Sequence, residues 1–76
     1  MPLIRIEVLE GTLTEEAKKE MISKVSNIVA EIEARPHPKE KLLPHTWCII
    51  EEVPPAKWGI GGQPLSLETL KALLSG

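Results

Sequence analysis

A chain of 76 residues has room for one small domain and no second one, so residues 1–76 are read as a single domain. Nine basic residues against eleven acidic ones leave a net charge of −2 with no Lys/Arg cluster, which excludes the electrostatic footprint of a nucleic-acid-binding protein. The 42% apolar content suffices for a core, yet a lone domain this short buries only about 60% of the surface of its unfolded chain, and the single Cys48 excludes an internal disulfide, so a metal or partner subunits are expected to support the fold.

The start, MPLIRIEVLE, places Arg5, Glu7 and Glu10 where a signal peptide would have its apolar region. With one unpaired cysteine and no apolar run near the roughly 20 residues of a spanning helix, the expected location is the cytoplasm. Residues 3–9 alternate: Ile4, Ile6 and Val8 against Leu3, Arg5, Glu7 and Leu9, the period-2 pattern of a strand with one apolar and one mixed face. Gly11 ends it. Thr12 and Glu15 have capping-box spacing, and Thr14 is the other candidate cap. Ala17, Met21, Val25, Ile28 and Ile32 then recur at steps of three and four, with Ile22 and Val29 widening the stripe, which predicts an amphipathic helix over about 13–34.

Pro36, Pro38 and Pro44 bracket a polar loop over residues 35–45 with one short turn. Residues 46–53 are apolar and β-branched enough for a second strand, stopped by Pro54-Pro55. Gly59, Gly61 and Gly62 predict a tight turn or hairpin. Ser66 can cap a short last helix whose stripe is Leu67, Leu70, Leu73 and Leu74. Strand, helix, strand implies a βαβ unit with parallel strands. One helix covers one face of a two-stranded sheet, which leaves Trp47, Ile49 and Val53 facing water. Parallel sheets are normally covered on both faces, so the fold class is an α/β unit completed by oligomerisation.

Chemistry-bearing groups are few. His45, Cys48 and His37 lack the spacing of a zinc site, and no metal or other cofactor is expected. On one strand Cys48 and His45 point to opposite faces, as do Glu51 and Glu52, which reads as structure rather than a nucleophile or an acid/base pair. The run Gly59-Ile60-Gly61-Gly62 lacks the phosphate-loop pattern. Pro2 stands apart. An initiator methionine before proline is usually removed, which leaves a secondary amine opening a strand. An α-amino group titrates near 7.7–8.0. An apolar site or a nearby cation lowers that value into the range of a general base.

Taken together, MPLIRIEVLEG, the Thr-x-Glu-Glu helix start and Trp58-Gly59-Ile60-Gly61-Gly62 resemble the 4-oxalocrotonate tautomerase family, over residues 2–33 and 46–63. The resemblance implies short βαβ chains that pair into dimers, with three dimers forming a homo-hexamer. It implies an isomerase that moves protons between carbon and oxygen in small unsaturated oxo-acids, using the N-terminal proline as base. Mapped here, Pro2 matches that catalytic proline and Trp58 the aromatic residue lining the site. Two arginines that grip substrate carboxylates in the family are replaced by Thr12 and Trp47, and the loop before the second strand is longer. Arg5, Arg35, Lys39, Lys41, His45 and Lys57 are the cations that could substitute; Lys57, beside Trp58, and Arg5, on the strand of Pro2, are taken as the substrate-binding candidates. Trp47 is expected to wall the pocket or anchor an interface. Dehalogenation, decarboxylation or hydration on the same scaffold (the last with Glu52 as candidate acid) and a non-catalytic assembly protein remain the alternatives.

Overall fold

Alternation makes the first strand. In the computed structural model, which describes residues 1–75, β1 spans Leu3–Leu9 and α1 spans Glu15–Ala34. Single-turn 3-10 segments at Lys39–Lys41 and Leu43–His45 lead into β2, Trp47–Val53. A further 3-10 turn at Pro55–Lys57 precedes a hairpin of β3 (Gly59–Ile60) and β4 (Gln63–Pro64), and α2 runs Leu67–Ser75. β1 and β2 pair in parallel, from Leu3 opposite Trp47 to Leu9 opposite Val53.

The boundaries differ from the sequence reading in three places. Thr14 is the helix cap: its hydroxyl accepts the Ala17 N–H at 3.0 Å, and α1 starts at Glu15 rather than near 13. Thr12 instead donates its hydroxyl to the Leu9 carbonyl at 2.8 Å, closing the turn after β1. The loop over 35–45 forms two 3-10 turns, not one, because its prolines break the helix without preventing single turns. At Gly11 the backbone has φ +90°, where a side chain is strained, and a Cβ there would sit 3.3 Å from the Leu67 side chain. Gly11→Ala is therefore expected to cost about 1–3 kcal/mol, readable as a lower urea midpoint with an unchanged slope.

The helix presents an unexpected face. Its buried residues are Ser26 and Ala30, rotated by roughly 150° around the axis from the Met21–Val25–Ile28–Ile32 stripe. Small side chains let the helix approach the sheet closely. Ile28 and Ile32, expected in the core, are each 56% exposed. Below the helix, Ile4, Ile6 and Val8 meet Cys48, Ile50 and Glu52 across the strands. Glu52 is held there by Lys18, whose ammonium lies 3.1 Å from its carboxylate and 3.0 Å from Glu15. These hydrogen bonds, first to Glu15 and then to Glu52, raise the Lys18 pKa above its ordinary 10.5. A raised folded-state pKa contributes stability below the ordinary value that is lost as pH climbs through the folded one. The stability gap between the wild-type chain and Lys18→Met is thus expected to stay constant near neutrality and to close above about pH 10.5, measured by urea unfolding.

On the other face, Leu3 and Trp47, and Arg5 and Ile49, lie side by side and exposed, while Glu7 and Glu51 run on toward the Trp58 turn. Trp47 is 59% exposed, while Val53, expected in water, is half-buried because Trp58 folds back beside it. Among the described residues no large side chain is fully buried. The radius of gyration is 15.7 Å, against about 11 Å for a compact domain of this length. The accessible surface is 5750 Å², against about 4,600 Å² for a monomer of this mass. Both excesses describe a chain that covers its own apolar surface only in part.

Candidate functional site

The first candidate cluster lies at the N-terminal end of the ribbon. Pro2, half-buried, precedes β1, and its carbonyl accepts the Trp47 N–H at 3.0 Å. Trp47 is delivered there by the 3-10 turn before it: the Thr46 N–H donates to the Leu43 carbonyl at 3.1 Å and the Thr46 hydroxyl to the Leu42 carbonyl at 3.0 Å. Leu3 sits opposite Trp47, so the residues beside Pro2 on the open face are apolar. While Met1 is attached, the Pro2 nitrogen is a tertiary amide with neither a proton nor basicity; removal of Met1 converts it to a secondary amine.

A second cluster lies at the C-terminal end. Pro54 stops β2, and the turn Pro55–Lys57 is closed by Lys57 N–H to Pro54 carbonyl, 2.9 Å, and Trp58 N–H to Pro55 carbonyl, 3.2 Å. The Trp58 carbonyl accepts the Leu65 N–H at 2.6 Å, which ties the hairpin to the turn. Glu7, Val53, Lys57, Trp58 and Gly59 line a cleft of about 310 Å³. Lys57 and Trp58 thus share one concavity, with the Glu7 carboxylate as a member that sequence reasoning did not assign. Among the described residues Lys57 makes no ion pair.

The two clusters are not together. Glu7 is five residues beyond Pro2 on an extended strand, about 16 Å away. Pro2 and Trp47 therefore occupy one end of the ribbon, and Lys57 and Trp58 the other. Arg5 lies between them and is engaged: its guanidinium is 2.5 Å from the Glu51 carboxylate on the open face. Arg5 thus makes, within its own chain, an ion pair to a glutamate, the plain alternative to a substrate-binding role. Glu52 faces the helix and holds Lys18, so it does not reach either concavity as an acid for water. Cys48 sits opposite Ile4 under the helix while His45 belongs to the 3-10 turn. Among the described residues no three metal-ligating side chains come together.

A third concavity was not foreseen. At the C-terminal end of α1, a cleft of about 610 Å³ is lined by Glu33, Ala34, Arg35, His37, Lys41 and Leu42. The signal for it was the alternation of prolines with basic residues over 35–41, which separates the cations in sequence but curls them around one helix end.

A family model described as tautomerase enzyme matches residues 2–68, nearly the whole chain. The structure is similar to the apo form of an unfused 4-OT, with 31% identity and a TM-score of 0.70 over 84% of this chain and 93% of that one. It is also similar to a structure from the characterisation of 4-oxalocrotonate tautomerase isozymes of Methylibium petroleiphilum, with 40% identity and a TM-score of 0.60 over 83% of this chain and 90% of that one. No curated protein sequence gives a significant match. Among the described residues no helix is long and apolar enough to cross a membrane. The sequence match over residues 2–68 and the shared α/β fold with parallel strands agree: the chain belongs to the tautomerase family, on its 4-oxalocrotonate tautomerase branch, and is a tautomerase-type isomerase.

Proposed function

We propose that this chain, as a single-domain subunit of a homo-hexamer built as a trimer of dimers, catalyses keto–enol proton transfer in a small unsaturated oxo- or hydroxy acid, with Pro2 as general base once Met1 is removed. The observation that carries this reading is Pro2 at the head of β1, its carbonyl held by Trp47 and an apolar surface beside it. As a free amine there, it takes a proton from the enol oxygen or the acidic carbon and returns it to another atom of the conjugated system. Apolar neighbours disfavour the ammonium form and keep the amine neutral. Only a proton moves, so no cofactor is called on.

Subunit assembly belongs to the proposal because of the 16 Å gap. In one chain Pro2 faces no Trp58, so a site holding both needs Pro2 of one copy and the Lys57–Trp58 cleft of another. The uncovered face around Leu3, Trp47 and Ile49 and the outward Ile28 and Ile32 supply apolar surface for such contacts. Lys57 then stands where it can lower the proline pKa and steady an enolate.

One observation favours a second reading, a tautomerase-fold assembly protein without activity. Thr12, at the position of a family arginine, spends its hydroxyl on the Leu9 carbonyl and offers nothing to a substrate. Intact mass establishes whether Met1 is gone, and Met-free protein is then assayed spectrophotometrically with enol pyruvates and 2-hydroxydienoates. Turnover of any of them supports the base; none, from a folded Met-free protein, leaves the assembly reading. Among substrates, a 2-hydroxymuconate-like dicarboxylate is expected to show a kcat/KM below that of monocarboxylate enols, because the bidentate arginine clamps at Thr12 and Trp47 are absent. Equal efficiency on the dicarboxylate would show that other cations replace both arginines.

A further inference from the structure

The large cleft at the end of α1 has the build of an acid-binding site. Ala34 and Leu42, both half-buried, form its apolar floor, and the exposed side chains of Arg35, His37 and Lys41 form its rim. Its volume of about 610 Å³ falls within the range of small-molecule pockets. Glu33 is the one acid on the rim. Arg35 and Lys41 together outweigh that carboxylate and the roughly half negative charge of a helix C-terminus. The cations are also available. Lys18 and Lys24 are paired with Glu15, Glu52 and Glu20, and Arg5 with Glu51, whereas Lys41 makes no ion pair among the described residues and Arg35 only a long 4.0 Å contact with Glu31.

Position adds to chemistry. α1 runs back along the sheet, so its C-terminal end and Pro2 lie at the same end of the unit. The link is short and hydrogen-bonded throughout: Leu42, on the cleft floor, accepts from the Thr46 hydroxyl and the His45 N–H, and the next residue, Trp47, donates to Pro2. The Ala34 carbonyl, last of the helix, is satisfied by the His37 N–H at 2.8 Å, so it does not repel an anion with a bare oxygen.

We propose that this cleft binds a carboxylate of a small organic acid, with Arg35 and Lys41 as the charge-bearing contacts and the Ala34–Leu42 floor against its carbon chain. In the context of the proposed function, which this extends, the cleft replaces in part the missing family arginines and selects acids over neutral ketones.

The test titrates ¹⁵N-labelled, Met-free protein with 2-oxopentanoate and, separately, with neutral 2-pentanone, following amide and His37 ring resonances. Saturable shifts over residues 34–42 with the acid and not with the ketone are expected. In the Arg35→Met/Lys41→Met double variant the dissociation constant should rise about tenfold or more, while Lys19→Met, on the exposed side of α1, should leave it unchanged. Shifts that centre on Lys57 and Trp58, equal response to the ketone, or no saturable response each overturn the proposal. Kinetics separate it from the reading it extends: if an enol acid is turned over and the double variant leaves its KM unchanged, the cleft assignment fails and the tautomerase reading stands. If the shifts appear as expected and no enol acid is turned over, the site stands and the catalytic reading fails.

Discussion

Protein that keeps Met1, or carries one added residue before Pro2, is expected to turn over an enol acid about 10²–10⁴-fold more slowly than the processed form, the usual worth of a general base. The extension changes one atom's chemistry and little else. An acylated proline nitrogen shares its lone pair with the carbonyl and cannot accept a proton, whereas Trp47, Leu3 and the backbone bond from Trp47 to Pro2 stay as they are. Pro2→Ala is the milder comparison, because a primary amine remains. The pairing of kcat values for processed and extended protein, each verified by intact mass, is the measurement. Equal rates would remove Pro2 from the chemistry.

The second large effect concerns assembly. The melting temperature is expected to rise with protein concentration, because a subunit with no large side chain fully buried among its described residues gains most of its core from neighbours. Ile49→Lys should dissociate and unfold the protein together. It sets a second cation opposite Arg5, in the middle of the uncovered face. Burying such an unpaired charge costs at least about 3 kcal/mol per contact, more than a hundredfold in association. Sedimentation and thermal melts over a hundredfold dilution series measure both. A folded monomer of Ile49→Lys at micromolar concentration would show that the face is not an interface.

The period-2 pattern of β1, the period-3.6 pattern of α1 and the apolar, β-branched content of β2 make these elements legible from residue types alone, and with them the parallel pairing of the strands. The N-cap was not decided by pattern, since Thr12 and Thr14 both carry the right hydroxyl; which one meets a helix N–H depends on the turn at Gly11. The buried face of α1 is legible only in part, for an instructive reason. Ala17, Met21, Val25 and Val29 of the apolar stripe are half-buried while Ile28 and Ile32 stay exposed, and the most buried positions are Ser26 and Ala30, which hydropathy passes over. Pro2, Trp47, Lys57 and Trp58 were all picked out from the sequence, but not that they divide between two ends. Parallel pairing already implied it: a residue before the first strand and one after the second must lie at opposite ends. An ion pair of Arg5 with a glutamate is a natural expectation, but its partner is not legible, because nothing in its neighbourhood along the chain shows Glu51, 46 residues away, beside it. The cleft at the end of α1 escaped for the same reason, since prolines and turns bring Arg35, His37 and Lys41 around a helix end without any period to read.

The division of Pro2 and Trp58 between the two ends of one ribbon has a genetic consequence. Under the proposed assembly each subunit lends a base to one site and a wall to another, so a copy defective at both ends spoils two sites rather than one. In a cell expressing such a copy beside the intact chain, activity would fall faster than gene dosage, in proportion to the chance that both contributors are sound. Copies defective at opposite ends would behave the other way: each inert alone, they would restore one another when co-expressed.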